Sequence, residues 1–301
     1  MRRCTVFVIS FISAIATGTA AADATAFVNV NVLPMSAERV LAQQTVIVRD
    51  GTIRTIGDVD VIPVPEDARV VDGTDRFLIP GLAEMHAHVP PAGSNELERD
   101  LALYVANGVT TVRGMLGHAS HLQLREDLLE GRIIGPRLIT SGPSLNGRSV
   151  SGAADGARQV REQHAAGYDF VKIHPGLDDA EFAAIARTAN ELGIPLAGHV
   201  PVSVGLGNAL QAGMASIDHL DGYMAALMPP NYDASGGYGG FFDVLLAGDV
   251  DMDRIASLAE ATAAAGTWTV PTETLVEQLI NEVPVGELRN RTEMQYMSAA
   301  R

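Results

Sequence analysis

Residues 79–89 read IPGLAEMHAHV, an apolar stretch that ends in two histidines one residue apart. A short apolar run after a Pro-Gly turn signal predicts a buried β-strand. Side chains alternate along a strand, so His86 and His88 lie on the same face. Two imidazoles on one face can bind a metal ion, although core histidines that hydrogen-bond to the backbone give the same pattern. Three further candidate ligands at downstream strand ends favour the metal interpretation.

The composition argues against several classes of function. The chain has 301 residues, 47% of them hydrophobic, which is enough for a large domain together with a small one. Its formal net charge is −15 and its sequence pI is about 4.8. An acidic surface repels phosphate backbones and anionic lipid, so we expect no nucleic-acid partner and no membrane partner. We expect a small-molecule or dipeptide-like substrate, and a homo-oligomer is compatible with the sequence.

The first 22 residues have the features of a targeting segment. Two arginines start it, an apolar run covers 6–16, and three alanines at 20–22 offer a cleavage site. The apolar run is too short to span a bilayer. We therefore predict a Sec-type signal peptide over 1–22 and a secreted, periplasmic protein, although the arginine pair leaves twin-arginine export open. The sole cysteine, Cys4, leaves with the signal, so the mature chain would hold any metal without thiolates.

Residues 23–78 predict a small β-domain. Asp50 and Gly51 separate two β-rich runs at 45–49 and 52–56. An Asp-Gly pair in this position favours a hairpin, because both turn residues need positive φ. We interpret this segment as a structural β-sandwich beside the main domain.

From residue 79 to residue 301 the chain alternates strands and helices. Helix-capping pairs are predicted at Asn95 with Glu98 and at Asp178 with Glu181. After the strand that leads to the histidine pair, the predicted strands are 109–112, 137–140, 170–174, 194–200, 215–219 and 267–270. Seven strands in alternation with helices favour an α/β fold of the (β/α)8 TIM-barrel type over an open sheet.

Candidate site residues fall where the barrel interpretation expects an active site. His88, Lys172, His199 and His219 all lie at or near the carboxyl ends of predicted strands. Active sites of (β/α)8 barrels are found at that end.

The stretch Pro-Gly-Leu-x-x-x-His-x-His after an Asp-Gly hairpin domain resembles the amidohydrolase superfamily of metal-dependent hydrolases, and is similar to its imidazolonepropionase-like and prolidase-like members. Glu84 stands where many relatives have Asp. The supporting stretches follow in the family's order and are 107–113 (NGVTTVR), 169–173 (DFVKI), 197–199 (AGH) and 217–219 (IDH).

The resemblance implies a metal-binding role for five residues. His86 and His88 would bind the more buried of two divalent ions, and His199 and His219 the second. Lys172, carboxylated on its amine by carbon dioxide, would bridge them. Zinc is the default for a site rich in histidine.

Lys172 also has a simpler interpretation, which is an ion pair with Asp169 or Glu181. A free ammonium is a poor metal ligand, whereas a carbamate offers two oxygens and a negative charge. Burial of Lys172 near metals would lower its pKa and favour the reaction with carbon dioxide.

The resemblance implies hydrolysis of an amide or peptide-like C–N bond, in a dipeptide or a cyclic amide, by a hydroxide that bridges the metals. The same site would serve an esterase, lactonase or phosphotriesterase. A non-catalytic metal-binding relative is the alternative outside enzymes.

The resemblance further implies a carboxylate at the end of an eighth strand, which shuttles the proton. From Thr272 onward the sequence contains no aspartate and predicts no eighth strand. A full barrel takes about 250 residues. Counted from Phe77, its last βα unit is therefore expected to be absent, so that the chain is either a fragment or a truncated relative.

Other residues are weaker candidates. His121 is expected on the surface or in a loop, and residues 231–240 are either a mobile lid or a plain insertion. The candidates for substrate binding are Tyr223 after the sixth strand, His174 on the face of Lys172, His118 after the second strand, and Arg148 after the third strand, as a partner for a substrate carboxylate.

Overall fold

The computed structural model describes residues 24–230, 243, 246–281 and 283–297. The predicted signal peptide and the predicted lid or insertion at 231–240 lie outside the described residues. The chain divides into two compact units, one ending at Pro80 and the other beginning at Gly81. No helix in the described ranges is both long and apolar enough to cross a membrane.

One sheet forms the first unit. Its strands are β1 (Ala24–Val32), β2 (Leu41–Arg49), β3 (Thr52–Asp58), β4 (Ala68–Asp72) and β5 (Phe77–Leu78). Their order is β3-β2-β1-β4, with β5 also paired to β1. The predicted hairpin is confirmed, since Asp50 and Gly51 join β2 to β3 with φ values of +53° and +67°. The described strands form a single sheet, so the second layer of a sandwich stays a prediction.

Parallel strands build the second unit. They are β6 (Leu82–Ala87), β7 (Val109–Gly114), β8 (Arg137–Thr140), β9 (Val171–Ile173), β10 (Leu196–Gly198), β11 (Ser216–Asp218) and β12 (Trp268–Val270). They form two sheets, β6-β7-β8 and β9-β10-β11-β12. Isolated parallel bridges, Ser141 to Phe170 and Leu145 to Ile173, connect the segment after β8 to β9. The predicted α/β fold with parallel strands is therefore confirmed, while closure into a barrel stays a prediction.

Helices separate most of these strands. They are α1 (Leu97–Ala106), α2 (His121–Leu129), α3 (Ala153–Ala166), α4 (Asp179–Leu192), α5 (Gly205–Gln211), α6 (Tyr223–Leu227), α7 (Ile255–Ala264), α8 (Glu273–Ile280) and α9 (Val285–Arg289). The predicted capping box of Asp178 with Glu181 is confirmed at α4. The predicted cap at Asn95 is wrong. The residue before α1 is Glu96, whose backbone is already helical. A turn closed by the hydrogen bond from Ser94 N–H to Pro91 O precedes it.

Alternation along the short strands places the polar side chains. In β9, Val171 and Ile173 join the apolar core formed with α3, α4 and α5, and Lys172 between them points to the opposite face. In β11, Ile217 joins the same core, and Asp218 takes the opposite face. Lys172 and Asp218 are both fully buried, at 0% exposure, so this second face carries charge that must be paired.

Candidate active site

Five histidines from the ends of the strands form a continuous row of imidazole rings. The ring centroids are 5.3 Å apart for His88 and His86, 4.3 Å for His86 and His219, 5.0 Å for His219 and His199, and 4.8 Å for His199 and His174. The four histidines singled out as metal ligands are thus brought together, with His174 at one end of the row.

His86, in β6, and His88, just after it, face each other through their Nε2 atoms. The Nε2 atoms of His86 and His88 are 3.3 Å apart. Two nitrogen ligands of a tetrahedral zinc ion, each about 2.05 Å from it, are about 3.3 Å apart. The backbone N–H of His86 donates to Glu84 Oε1 at 2.7 Å, which anchors the strand end. The pair therefore has the spacing of two ligands to one ion.

The histidines after β10 and β11 each have a dedicated partner on Nδ1. His199 Nδ1 lies 2.5 Å from Asp221 Oδ2, and His219 Nδ1 lies 2.7 Å from Thr272 Oγ1. A carboxylate or hydroxyl that accepts from Nδ1 keeps the proton there and leaves Nε2 as the nitrogen with a lone pair. His219 also has a positive φ of +61°, a costly conformation for a non-glycine residue that is frequent in functional sites.

Lys172 is the only lysine of the chain, which otherwise uses arginine for all its basic side chains. Its Nζ atom lies 3.0 Å from Asp218 Oδ2. Gly198 makes room for its stem, because a Cβ there would lie 2.3 Å from the carbonyl oxygen of Ile173 and 2.8 Å from Cδ of Lys172. The site is thus built around this single amine.

The ion-pair partners proposed for Lys172 from the sequence are wrong. Asp169 instead pairs with Arg125 at 3.1 Å and accepts the backbone N–H of Thr140. Glu181 is committed to the capping box of α4 and to the backbone N–H of Gly152. Both carboxylates are satisfied outside the site, and the partner of Lys172 is Asp218.

Asp218 is shared by three nitrogen groups. Its Oδ2 atom faces Lys172 and also lies 3.1 Å from Nδ1 of His86, and its Oδ1 accepts from Arg113 Nη2 at 3.1 Å. Arg113 reaches across the unit from β7, donating to Ser216 Oγ at 2.9 Å and, through Nε, to the carbonyl oxygen of Met85 at 2.8 Å. Sequence reasoning gave no role to Arg113 or Asp218, although both are charged residues in short apolar strands.

Burial and nearby positive charge lower the pKa of three imidazoles of the row. Burial, with a smaller effect of Lys172, lowers the pKa of His174 to about 3. Burial, with a smaller effect of His86, lowers the pKa of His219 to about 4. Burial also lowers the pKa of His88. Metal binding requires the neutral form of histidine, so these rings are in the form that binds.

The buried ion pair has opposing influences. Burial lowers the pKa of Lys172 below that of an ordinary lysine, and Asp218 opposes this shift. Burial alone would raise the pKa of Asp218, but His86 and Lys172 outweigh it and hold the pKa well below its usual range. Asp218 therefore stays an anion, while the amine of Lys172 is easier to deprotonate than a surface lysine.

The donor set fits a metal centre best if Lys172 takes part. Across the described part of the chain, no group of three or more His, Cys, Asp and Glu side chains is placed to hold an ion by itself. The histidines converge as pairs. Lys172 lies beside Asp218 and His86 and could supply a further donor, but an ammonium has no lone pair to give. A chemically modified Lys172 would supply the missing ligand.

Two of the weaker substrate-binding candidates make their contacts with other residues. Tyr223 is buried in the apolar core and its hydroxyl lies 3.0 Å from Thr262 Oγ1 of α7, a placement that does not support a substrate contact. His118 is exposed, with Nδ1 2.8 Å from Ser120 Oγ. The expectation for His121 is wrong, because this residue is fully buried at the start of α2, with Nδ1 3.3 Å from Thr140 Oγ1.

The remaining two candidates share a cleft. Arg148 and His174 line a depression of about 520 Å³ together with Asn146, Gly147, Pro175 and Gly176. His174 stacks on His199, with an interplanar angle of 25°, so this cleft adjoins the row of histidines.

Solved structures share the fold of this chain. A candidate prolidase from Bifidobacterium longum is 22% identical with a TM-score of 0.57, over 70% of this chain and 58% of its own. A bottromycin amidohydrolase is 24% identical with a TM-score of 0.58, over 83% of this chain and 52% of its own. An Xaa-Pro dipeptidase with bound methionine in its active site is 18% identical with a TM-score of 0.61, over 87% and 71%.

The likeness is one of structure. No protein-family model and no curated protein matches the chain. The chain spans little more than half the length of the first two structures. At identities of 18–24% the comparison establishes the fold, and this chain shares the α/β fold of these three proteins.

Proposed function

We propose that this protein is a metal-dependent amidohydrolase that cleaves the C–N bond of a dipeptide-like or cyclic amide. The observation that carries the proposal is a row of four strand-end histidines next to the buried pair of Asp218 and Lys172, the chain's only lysine. Proteins that share the fold are named prolidase, amidohydrolase and Xaa-Pro dipeptidase, which supports chemistry at an amide bond.

The architecture proposed for this site is a TIM-type barrel. Its support is that the strands follow one another in space in chain order, all parallel, from β6 to β12. The candidate ligands lie at or just beyond the carboxyl ends of these strands, where such barrels hold their active sites.

Two divalent ions, with zinc as the default, would be held by the chain's own pairs of donors. His86 and His88 form one pair, and His199 and His219 form the other. Lys172 would contribute after its neutral amine adds to carbon dioxide and loses a proton, giving a carbamate. Ions bound there would polarise the carbonyl of the amide and activate water.

The surrounding side chains position these groups. Asp221 and Thr272 hold the Nδ1 protons of His199 and His219, so that each Nε2 keeps its lone pair for the site. Arg113 fixes Asp218, and Asp218 in turn holds Lys172 and faces His86. Gly198 leaves the stem of Lys172 its path.

The test measures hydrolysis by protein reconstituted with zinc and bicarbonate. Substrates are dipeptides, cyclic amides and matched esters. Lys172→Arg keeps a cation beside Asp218 but cannot form the carbamate, so we expect it to lose at least about 100-fold in kcat/KM. His86→Ala should lose as much. His164→Ala, an exposed histidine on α3, is the matched control and should keep full activity.

Each outcome decides between functions. Full activity of Lys172→Arg would overturn the proposal. Turnover of the esters alone would identify an esterase, and metal uptake without any turnover would identify a non-catalytic metal-binding protein. Because Lys172 is the sole lysine, the N-terminal amine is the other amine that can form a carbamate, and intact mass of wild type against Lys172→Arg in bicarbonate buffer separates the two.

A further inference from the structure

The cleft that adjoins the histidine row is formed by two loops. Asn146, Gly147 and Arg148 follow β8, and His174 and the Pro-Gly pair after it follow β9. The loops approach closely, since a Cβ on Gly147 would lie 2.2 Å from the carbonyl oxygen of Gly176. Only glycine at 147 permits this approach, so the walls of the cleft are held against each other.

Hydrogen bonds attach the Arg148 loop to the strand that carries Lys172. The N–H of Leu145 donates to the carbonyl of Lys172 at 2.9 Å, and the N–H of His174 donates back to Leu145 at 2.9 Å. The N–H of Gly147 donates to the carbonyl of Pro175 at 3.3 Å. The cleft is therefore a continuation of the strand end that carries the proposed metal centre.

The backbone at Arg148 is fixed by its neighbours. The side-chain oxygen of Asn146 accepts the N–H groups of Arg148 at 2.8 Å and Ser149 at 3.2 Å. Ser149 Oγ donates to the carbonyl of Ser144 at 3.0 Å. A loop ordered in this way fixes the backbone from which the Arg148 side chain extends, so binding orders only the side chain.

The charge of the cleft is unusual for this protein. The whole chain has a formal net charge of −15, yet no acidic side chain is among the described residues that line the cleft. Arg148 is exposed there, and its guanidinium has no hydrogen-bond or ion-pair partner within the described ranges. The guanidinium of Arg148, a group that forms paired hydrogen bonds to planar anions such as carboxylates, therefore faces the cleft.

We propose, on the basis of the amidohydrolase function above, that Arg148 binds a free carboxylate of the substrate. The substrate class is then amides of amino acids with a free carboxyl group, namely dipeptides and N-acyl amino acids, and cyclic amides without a carboxylate are excluded. The amide lies toward the histidine row and the carboxylate toward Arg148.

The experiment compares each dipeptide with its C-terminal amide. The metal-loaded wild-type protein should prefer the free acid by about 10-fold to 100-fold in kcat/KM, the range of a charge-assisted hydrogen-bonded pair. Arg148→Ala should bring this ratio close to one, and Arg148→Lys should restore part of it. Arg161→Ala removes an exposed arginine of α3 and should keep the wild-type ratio.

Calorimetric binding to the metal-loaded protein tests the same ratio without turnover, with ketomethylene analogues of acetyl-leucine and acetyl-leucinamide, which have a carbon in place of the amide nitrogen that would be cleaved. A wild-type ratio near one, or a ratio that survives in Arg148→Ala, would overturn the role of Arg148. Absence of turnover for every amide would overturn the amidohydrolase function instead. In that case the binding ratio still decides whether Arg148 recognises a carboxylate.

Discussion

The two pairs of histidines in the site are held in different ways. His199 and His219 each have a partner of their own on Nδ1, Asp221 and Thr272. His86 faces Asp218 at 3.1 Å, but its Nδ1 makes no aligned hydrogen bond there. The β10–β11 side of the site is therefore ordered by the protein itself, whereas the β6 side depends more on what occupies it.

The difference comes from the number of groups that share one anion. Asp221 serves one imidazole, while Asp218 serves Lys172, Arg113 and His86 together. A carbamate on Lys172 would remove one of these cations from Asp218. The oxygen that faces both Lys172 and His86 would then be left to His86 alone, and we infer that modification of Lys172 and ordering of His86 are coupled.

The largest expected effect comes from removing the shared anion. Asp218→Asn leaves Lys172 and Arg113 buried without a counter-charge, and loss of one partner from a buried ionic group costs about 3–5 kcal/mol of unfolding free energy. Asp221→Asn should cost about 1 kcal/mol, because it weakens a single hydrogen bond to His199. Urea unfolding of the metal-free proteins measures both.

A companion variant tests the sharing itself. Lys172→Met leaves Asp218 paired with Arg113, so it should destabilise the metal-free protein less than Asp218→Asn does. Equal costs for Asp218→Asn and Asp221→Asn would remove the distinction between the two sides of the site.

Part of this site is accessible from the sequence. The five candidate ligands lie in short stretches that can be identified as strand ends, and strand alternation puts His86 and His88 on one face. Arg113 and Asp218 escape sequence reasoning because they are 105 residues apart, and no sequence pattern gives the register between β7 and β11. The available signal is a charged residue inside each of two short apolar strands, since a buried charge needs a partner.

The fold shows the same division between local and long-range information. The Asp-Gly hairpin and the capping box of α4 are local, and both predictions are confirmed. The sequence suggests a substrate contact for Tyr223 because this residue follows β11. Its hydroxyl instead meets Thr262, 39 residues further along the chain. Such contacts depend on how α6 packs against α7, which the order of elements does not specify.

A smaller effect is expected on metal affinity, and it should differ between the two sides of the site. Asp221→Asn removes the negative charge of the group that accepts from Nδ1 of His199, and Thr272→Val removes the acceptor on Nδ1 of His219. Such changes weaken metal binding by about 10-fold to 100-fold. We expect the loss to fall on one of two zinc ions in a competition titration with a chromophoric chelator. An equal loss at both ions would show that the sides are not independent.

The smallest expected effect is a loss of unfolding free energy of the metal-free protein as the pH falls. His219 has a pKa of about 4 in the folded chain, because of burial and the nearby His86, against about 6.5 for an unperturbed histidine. The unfolded state therefore binds the proton first, and stability falls as the pH falls. One such histidine removes about 1 kcal/mol between pH 6.5 and 5.5. Urea unfolding in chelator across this range should show a decline to which His174 and His88 also contribute, and His219→Asn should make it smaller by about 1 kcal/mol. A decline that is unchanged in His219→Asn would mean that His219 is not held neutral by the protein alone.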